Sequence, residues 1–349
     1  MSGGRGALAD AMREQAGWCE RLGSPFYRAL LLRIAGDIEQ GGVCWRSLEA
    51  RAADPKRLKL PLRFLGRIHR LVLEGRLPAL ARHYPSAGGD GDAEAAWQAL
   101  CNVLSRDGSE LCSQLPGTVQ YSEPKRSTAL LPGFLEVARR TRLPLRLLEL
   151  GSGSGLNLRW DHYRYEAGRG AWGPADSLLV FRDAYSGEAP PFDIEAHVVE
   201  RRGCDLNPID PTTEEGRLTL KSFLWPDQPD RFDRLAPAIE VARRVPVTID
   251  RAEAVEWLER QLAHARRGVA TVVFQSIVLL YFSAEARARL TQVLTRVGSQ
   301  ATMEAPLAWI SMEPEERDDG VHLTLWPGGE RRPIARAGFH GGVVAIVNR

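Results

Sequence analysis

The sequence predicts an α/β protein in which a helical first part precedes a mostly parallel, doubly wound sheet. Two observations support this prediction. Residues 1–117 carry apolar side chains at helical spacing, and after a helix around 128–142 short apolar runs alternate with amphipathic segments. Alternating strands and helices are typical of a parallel sheet with helices on both faces. We therefore expect a helical cap domain over 1–117 and an α/β domain over 118–349.

The helical part has recognisable start signals. Ser24 precedes a proline and then the apolar-periodic stretch FYRALLLRIAGDI, which is typical of a capped helix with proline in its first turn. Asp92 ends the loop SAGGDGD and can cap the next helix. His69 lies within an apolar helix, where a core histidine is favoured over a ligand.

The α/β part is expected to form a seven-stranded sheet. The strands are predicted at LRLLELG, HVVERRGCD, VPVTID, VATVVFQS, LAWISME, VHLTLWP and FHGGVVAIVN. No helix separates the last two, so they should pair as an antiparallel hairpin. A β-hairpin insertion is expected around residues 168–198, built from LLVFRDAY and the segment before HVVERRGCD.

Composition excludes several classes of function. Lys and Arg total 46 against 44 Asp and Glu, and a net charge of +2 supplies no basic field for nucleic acid. No segment approaches the roughly 20 apolar residues of a membrane span, and the first residues do not resemble a signal peptide. The five cysteines form no CxxC or CxxH pair, which indicates reduced thiols and no metal site. We expect a cytoplasmic protein that acts on a small molecule.

The most informative stretch is LLELGSGSGLNLRWDHY, residues 147–163, where Gly151, Gly153 and Gly155 follow an apolar strand. A phosphate-binding P-loop needs a lysine that is absent here. A dinucleotide site prefers GxGxxG, but the residue at the third glycine position is Leu156. A tight strand-to-helix turn without a ligand is the structural alternative.

Glu149 followed by GxGxG resembles the first motif of class I S-adenosylmethionine-dependent methyltransferases. Glycines would let the backbone turn tightly and approach the ligand, and a following helix would offer free amides to its carboxylate. The resemblance implies that Glu149 orients the loop and interacts with the methionine amino group. It also implies a Rossmann-like, class I methyltransferase-type fold, with S-adenosylhomocysteine as the product.

An acid at the end of the second strand should accept the ribose hydroxyls. Asp205 is favoured, with Leu206 against the adenine, and Asp183 is the alternative if LLVFRD is that strand. At the end of the third strand, either Asp250 or the backbone at Arg251 and Ala252 would meet the adenine amino group. Capping a helix is the alternative role of Asp250. The predicted cofactor-binding residues are Glu149, Gly151, Ser152, Gly153, Gly155, Asn157, Asp205, Leu206, Asp250 and Gln275.

Several longer segments resemble an uncharacterised bacterial family, catalogued as domain of unknown function 2332. They are QYSEPKRSTALLPGF, LLELGSGSGLNLRWDHYRY, RRGCDLNPIDP, SFLWPDQPDRFDRL and FHGG. Their polar residues stand beside loops or strand ends, where a site is expected. The candidates for substrate binding or a lid are Tyr121, Arg126, Trp160, Asp161, Trp225 and Asp227, and the candidate catalytic residues are His340, Glu123 and Gln275.

Two of these assignments have structural alternatives. The Trp225–Asp227 segment is equally typical of a proline-containing helix start with tryptophan in the core. His340 is the best candidate general base because imidazole titrates near neutral pH, but a turn histidine bonded to a carbonyl is also favoured.

The sequence therefore predicts an S-adenosylmethionine-dependent methyltransferase with a small or medium-sized acceptor. One alternative is a non-catalytic protein on the same fold that binds or regulates, because no known catalytic loop follows the fourth strand. A second is an NAD(P)-dependent oxidoreductase. A hydrolase that uses Ser276 is disfavoured, because no GxSxG pattern surrounds it.

Overall fold

The computed structural model describes residues 2–54, 59–168, 170–315 and 319–347, and it divides into two compact units. The first unit comprises 1–121 and 213–233, and the second comprises 122–212 and 234–349. The first boundary lies close to the predicted residue 117. The difference is that 213–233 belong to the helical unit, where Trp225 is part of the hydrophobic core.

The first unit is helical, with elements numbered in chain order. Its helices are α1 (Ser2–Arg21), α2 (Pro25–Gln40), α3 (Val43–Leu48), α4 (Leu60–Leu73), α5 (Pro78–Ala81), α6 (Ala93–Ser113) and α8 (Glu214–Ser222). The predicted caps are confirmed, since Ser24 Oγ accepts the Tyr27 amide and Asp92 accepts those of Glu94 and Ala95. His69 is completely buried in α4 and is a core histidine.

The second unit contains the strands. They are β1 (Leu145–Leu150), β2 (Arg164–Ala167), β3 (Gly170–Trp172), β4 (Val180–Arg182), β5 (Tyr185–Ser186), β6 (Val198–Asp205), β7 (Thr248–Arg251), β8 (Ala270–Ser276), β9 (Leu307–Pro314), β10 (Asp319–Trp326), β11 (Glu330–Ala337) and β12 (Val344–Ile346). The remaining helices are α7 (Arg126–Thr141), α9 (Pro229–Arg244), α10 (Ala254–Gln261) and α11 (Ala284–Gly298). The division between the units falls within α9.

The large sheet is mixed and mostly parallel. Within the described residues it has nine strands in the order β5-β12-β11-β10-β9-β8-β1-β6-β7. The pairs β7–β6, β6–β1, β1–β8, β8–β9 and β12–β5 are parallel, whereas β9–β10, β10–β11 and β11–β12 are antiparallel. The chain moves outward from β1 to β7 and then crosses back to β8. This reversal puts a topological switch point between β1 and β8.

The structure departs from the predicted seven strands in two places. The sequence prediction missed β11, whose residues ERRPIARA alternate exposed and buried positions and include a proline. An antiparallel strand with one solvated face gives this weak signal. Consequently, the predicted pairing of β10 with the strand in FHGGVVAIVN is wrong. The antiparallel partner of β10 is β11, and β12 pairs with the other side of β11. The predicted hairpin insertion is instead a three-stranded sheet, β3-β2-β4, with β5 added to the edge of the large sheet.

Candidate functional site

The loop after β1 requires glycine at all three predicted positions. Gly151, Gly153 and Gly155 have φ values of 66°, 56° and 66°, in the left-handed region where a side chain is strained. A Cβ on Gly151 would also lie 2.3 Å from Cγ2 of Val278. The bare backbone therefore lets the loop turn and lets the segment after β8 pack closely against it.

The element that follows the loop differs from the prediction. Residues Asn157–His162 form a six-residue 3₁₀ helix, and no α-helix begins there. The cause is visible at Arg159, whose backbone leaves helical geometry and whose buried guanidinium donates to the carbonyls of Ser154, Gly155 and Val245. The predicted row of free helix amides is therefore absent from this described segment.

Asp205 is the acid that contacts the glycine loop. It ends β6, which pairs in parallel with β1, and its Oδ2 accepts the Gly153 amide at 2.9 Å. Its Oδ1 accepts the Asn207 amide at 2.8 Å, and the neighbouring Leu206 is 65% exposed. Asp183 follows β4 in the small sheet. Of the two candidates for the ribose acid, only Asp205 therefore stands beside the loop.

Glu149 is a buried acid with an unused oxygen. Its side chain is 3% exposed, and among the described residues its Oε2 has no hydrogen-bond partner. Burial raises its pKa to about 8, and Ser152 and Arg159 oppose the rise. The Oδ1 atom of Asn157, also buried, likewise lacks a partner within the described chain. Buried polar atoms normally have partners, so these two acceptors are candidates to bind a ligand.

Ser152, another predicted loop residue, has a structural role. Its hydroxyl donates to the Glu149 carbonyl at 3.0 Å, and its amide donates to the Cys204 carbonyl at 3.0 Å. A Cβ on Gly203 would lie 1.8 Å from the Ser152 hydroxyl oxygen. Ser152 thus fixes the loop against β6.

Asp250 is already engaged by protein groups. Its two oxygens accept the Arg202 guanidinium, and Oδ2 also accepts the Trp257 indole at 2.6 Å. Glu253 caps α10 instead, because its carboxylate accepts the amides of Val255 and Glu256. The alternative in which Asp250 caps a helix is therefore wrong. Its carboxylate instead binds the side chains of Arg202 and Trp257.

The segment before α7 lies against the glycine loop. The hydroxyls of Ser122 and Ser154 are 2.7 Å apart. Glu123 is 1% exposed and accepts the Lys125 amide at 3.1 Å and the Arg234 guanidinium at 3.4 Å. This segment is thus a fixed part of the second unit.

Arg126 joins three segments of the same unit. Its buried guanidinium donates to the carbonyls of Ser276 and Phe339 and lies 5.2 Å from the centre of the Phe339 ring. Gly341, with φ of 64°, packs so closely that a Cβ there would lie 2.3 Å from the Lys125 carbonyl oxygen. The turn that contains His340 is therefore held against the start of α7.

The carboxyl end of β8 is strained and polar. Ile277 has φ of 56°, which is exceptional for a β-branched residue and costs about 1–3 kcal/mol. Gln275 is fully buried and its Oε1 accepts the Trp309 indole at 2.8 Å. Glu313, at the end of β9, accepts the amides of Val278 and Leu279.

Glu313 was not predicted from the sequence. Burial raises its pKa to about 7, and the amides of Leu279 and Val278, Arg126 and Gln275 oppose the rise. The sequence signal that could have identified it is a glutamate at the end of a predicted strand. Neighbouring parallel strands end at the same edge of a sheet, where ligands bind.

Five of the predicted substrate or lid residues make contacts within the protein. Trp160 is fully buried and stacks on Phe134 at 4.4 Å and Trp172 at 5.1 Å, and Asp161 pairs with Arg201. In the helical unit, Trp225 belongs to the core, and the carboxylate of Asp227 accepts the Ser24 hydroxyl and the Phe26 amide. Tyr121 also belongs to that unit, where the guanidinium of Arg231 lies 5.9 Å from the centre of its ring.

The cysteines and the possible metal ligands are two further kinds of reactive side chain. All five cysteines are free thiols, and burial raises their pKa values. In the part of the chain that the structure describes, no group of three His, Cys, Asp or Glu side chains could hold a metal ion. None of the described helices is both long and apolar enough to cross a bilayer.

Comparison with known proteins gives a family. Residues 9–345 match the model of the family described as "Uncharacterized protein conserved in bacteria (DUF2332)". The chain belongs to this family. No curated protein and no solved structure matches it. The family predicted from the WPDQ, GLNLRWDHYRY and FHGG segments is confirmed, and the match covers both units.

Proposed function

We propose that the second unit binds S-adenosylmethionine and transfers its methyl group to a small or medium-sized acceptor. The observation that carries the proposal is the buried, unpaired Oε2 of Glu149 two residues before a loop of left-handed glycines. S-adenosylmethionine bears an ammonium and a sulfonium cation. The ammonium group would donate the hydrogen bond that this carboxyl lacks.

The strand order supports the choice of this edge. Ligands of open α/β sheets bind beyond the carboxyl ends of the strands, at the switch point, here between β1 and β8. The glycine loop follows β1 and packs against the segment after β8. We therefore assign a Rossmann-like, methyltransferase-type cofactor site to the loop, although the terminal antiparallel strands extend beyond the predicted plan.

The proposed contacts use atoms that can still accept hydrogen bonds. Glu149 and Asn157 would accept hydrogen bonds from the ammonium group, and the glycine backbone would approach the methionine part. Each Asp205 oxygen accepts one amide now and retains a lone pair for a ribose hydroxyl. The exposed Leu206 would cover one face of the adenine. Because Asp250 is engaged, the adenine amino group would meet the backbone after β7.

The acceptor would lie at the carboxyl end of β8. The bound sulfonium supplies an already activated methyl group, so positioning dominates and a base is needed only for a protonated acceptor. Gln275 and the His340 turn remain candidates to orient the acceptor. Glu313 joins them as a proton acceptor, because a pKa of about 7 suits a general base at neutral pH.

Two alternatives make different demands on the site. A dinucleotide needs a helix amino terminus for its pyrophosphate, and the 3₁₀ helix over Asn157–His162 is only six residues long and is kinked at Arg159. This observation disfavours an NAD(P)-dependent oxidoreductase. A non-catalytic role would require cofactor binding without turnover.

Titration calorimetry on the full chain tests the proposal, with S-adenosylmethionine, S-adenosylhomocysteine and NAD as separate ligands. Binding of the two sulfur ligands alone, with micromolar dissociation constants, supports it. Binding of NAD alone, or heat from none of the three ligands at two temperatures, overturns it. If the sulfur ligands bind, an acceptor screen for methyl transfer separates an enzyme from a non-catalytic binder.

A matched pair of glycine variants tests the location. Gly153→Ala and Gly168→Ala impose the same backbone strain, since the two φ values are 56° and 55°, and Gly168 has open space around its Cβ position. We expect the first to weaken cofactor binding at least tenfold and the second to leave it unchanged. Equal affinities in the two variants would remove the glycine loop from the site.

A further inference from the structure

A second concave feature lies at the other edge of the large sheet. It is a groove of about 590 Å³ lined by the end of α7, the approach to β9 and the turn after β10. We call it the arginine groove, and its principal lining residues are Arg139, Arg140, Arg142, Met303, Leu325 and Trp326. The amino ends of β1 and β9 lie at this edge, so the length of β1, roughly 20 Å, separates it from the glycine loop.

One wall of the arginine groove carries an excess of positive charge. Arg139 and Arg140 both pair with Glu136, which also pairs with Arg332. One carboxylate therefore faces three cations. The three guanidiniums lower the pKa of Glu136 to about 2, although burial alone would raise it. Within the described residues Arg142 forms no ion pair, and it adds a fourth cation.

Arg142 occupies a position that glycine would fill better. It ends α7 with φ of 55° and ψ of 27°, and its amide donates to the Ala138 carbonyl at 2.8 Å. This left-handed position after a helix favours glycine. The helix dipole favours basic residues such as Arg139 and Arg140 in the last turn, but it gives no reason for a strained arginine beyond it. Arg142 lines the arginine groove together with Arg139 and Arg140.

The floor of the arginine groove is apolar and rigid. The Trp326 indole fits between two glycines, because a Cβ on Gly298 would lie 2.4 Å from the ring and one on Gly329 would lie 2.6 Å from its nitrogen. Met303 stands 70% exposed at the same groove. Trp326 is itself 8% exposed, so the Met303 thioether is the more accessible apolar contact for a ligand in the arginine groove.

We propose that the arginine groove binds a small amphipathic anion, with a phosphate or carboxylate group on the arginines and a flat apolar body along Trp326 and Met303. Planar guanidiniums recognise such groups through paired hydrogen bonds. The volume lies within the range of small-molecule sites. This inference stands apart from the methyltransferase proposal, since it concerns the opposite edge of the sheet.

The test uses 1-naphthyl phosphate as a fluorescent probe on the full chain. We expect it to bind at least tenfold more tightly than 1-naphthol, which lacks the charge, and than inorganic phosphate, which lacks the apolar body. Its affinity should fall as sodium chloride rises from 50 to 500 mM. Comparison with 1-naphthoate then assigns the preferred anionic group. Equal affinity for 1-naphthol, or no binding of either naphthyl anion, would overturn the proposal.

Variants separate binding from folding. Arg142→Gly relieves the left-handed strain, so its melting temperature should rise while its affinity for 1-naphthyl phosphate falls at least fivefold. Arg139→Ala should also weaken binding. Its control is Arg243→Ala, because Arg243 pairs with Glu240 at the same spacing and is 44% exposed against 50% for Arg139. Unchanged probe affinity in both Arg142→Gly and Arg139→Ala would contradict the assignment.

Discussion

The Oδ2 atom of Asp205 accepts the Gly153 amide at 2.9 Å, so the last residue of β6 holds the loop that follows β1. The other carboxylate oxygen accepts the Asn207 amide at 2.8 Å. One side chain therefore fixes two turns at the carboxyl edge of the sheet. The same side chain would receive the ribose in the proposed site.

Asp205→Asn should weaken both the fold and the proposed cofactor site. An asparagine has one acceptor oxygen, so it cannot replace both carboxylate oxygens, and the loss should cost about 1 kcal/mol of unfolding free energy. Urea unfolding measures this cost, and titration calorimetry should show at least tenfold weaker binding of S-adenosylmethionine.

Asp92→Asn is the matched control for this change. A single oxygen of Asp92 accepts the amides of Glu94 and Ala95, so an asparagine can keep both bonds. We expect the control to stay within about 0.5 kcal/mol of the parent protein. Equal losses in the two variants would mean that the paired acceptors of Asp205 are not the cause.

Gly151→Ala should be more destabilising than its φ angle alone predicts. A left-handed alanine costs about 1 kcal/mol, and the new Cβ would also meet Cγ2 of Val278 at 2.3 Å. Gly187→Ala measures the first cost alone, because Gly187 has φ of 80° and open space around it. Urea unfolding should show a larger loss for Gly151→Ala.

A double variant identifies the source of the extra loss. Val278→Ala removes the methyl group that the new Cβ would strike, so it should be less harmful in the Gly151→Ala background than in the parent protein. If the losses of unfolding free energy in the two single variants add up to that of the double variant, the clash with Val278 does not cause the extra loss in Gly151→Ala.

The sequence was most informative where the chain is locally constrained. Alternating glycines after an apolar strand predicted the left-handed loop, and Ser24 and Asp92 predicted helix starts, because each signal acts within a few residues. Asp205 was favoured over Asp183 as the acid that ends the second strand of the sheet, and the structure brings Asp205 to the loop.

Long-range packing decided what the sequence could not predict. Trp225 is distant in sequence from the first helices, yet it is buried in their core. Glu313 meets the segment after β8 only because β8 and β9 are neighbours. The 3₁₀ helix after the glycine loop depends on Arg159 reaching the Val245 carbonyl, a contact across 86 residues. Periodicity along one segment carries no information on such contacts.

His69 should make the protein sensitive to acid. Burial lowers its pKa from 6.5 to about 4, and its Nδ1–H donates to the Ser222 carbonyl while Nε2 accepts the Ser86 hydroxyl. In the unfolded chain His69 becomes protonated near pH 6.5, whereas in the folded chain it stays neutral down to about pH 4. Stability should therefore be fully present above pH 6.5 and should fall as the pH drops from 6.5 to 4.

His69→Gln provides the comparison, since glutamine is neutral throughout this range. The melting temperature of the parent protein should fall more between pH 7 and pH 5 than that of the variant. Parallel pH dependences would show that His69 does not carry the effect.

Glu149 should make the folded protein less stable as the pH rises, whereas His69 makes it less stable as the pH falls. Its pKa rises from 4.5 to about 8 in the fold, so the folded chain keeps a proton that the unfolded chain releases near pH 4.5. Stability from this group is fully present below pH 4.5 and is lost as the pH rises toward 8, by at most about 1.4 kcal/mol per pH unit. Glu313 acts in the same sense up to about pH 7, so the comparison must be made against a variant.

Glu149→Gln supplies that variant and also tests the proposed role of the carboxyl. Between pH 6 and pH 8 the unfolding free energy of the parent should fall more steeply than that of the variant, which has no charge to bury. Cofactor binding should change in the reverse sense, because a cation at Glu149 favours the ionised form and so expels the proton. In the parent, affinity for S-adenosylmethionine should rise with pH up to about 8 and the binding heat should depend on the buffer. Both effects should be weaker in Glu149→Gln, and a buffer-independent heat in the parent would show that the ligand cation does not meet this carboxyl.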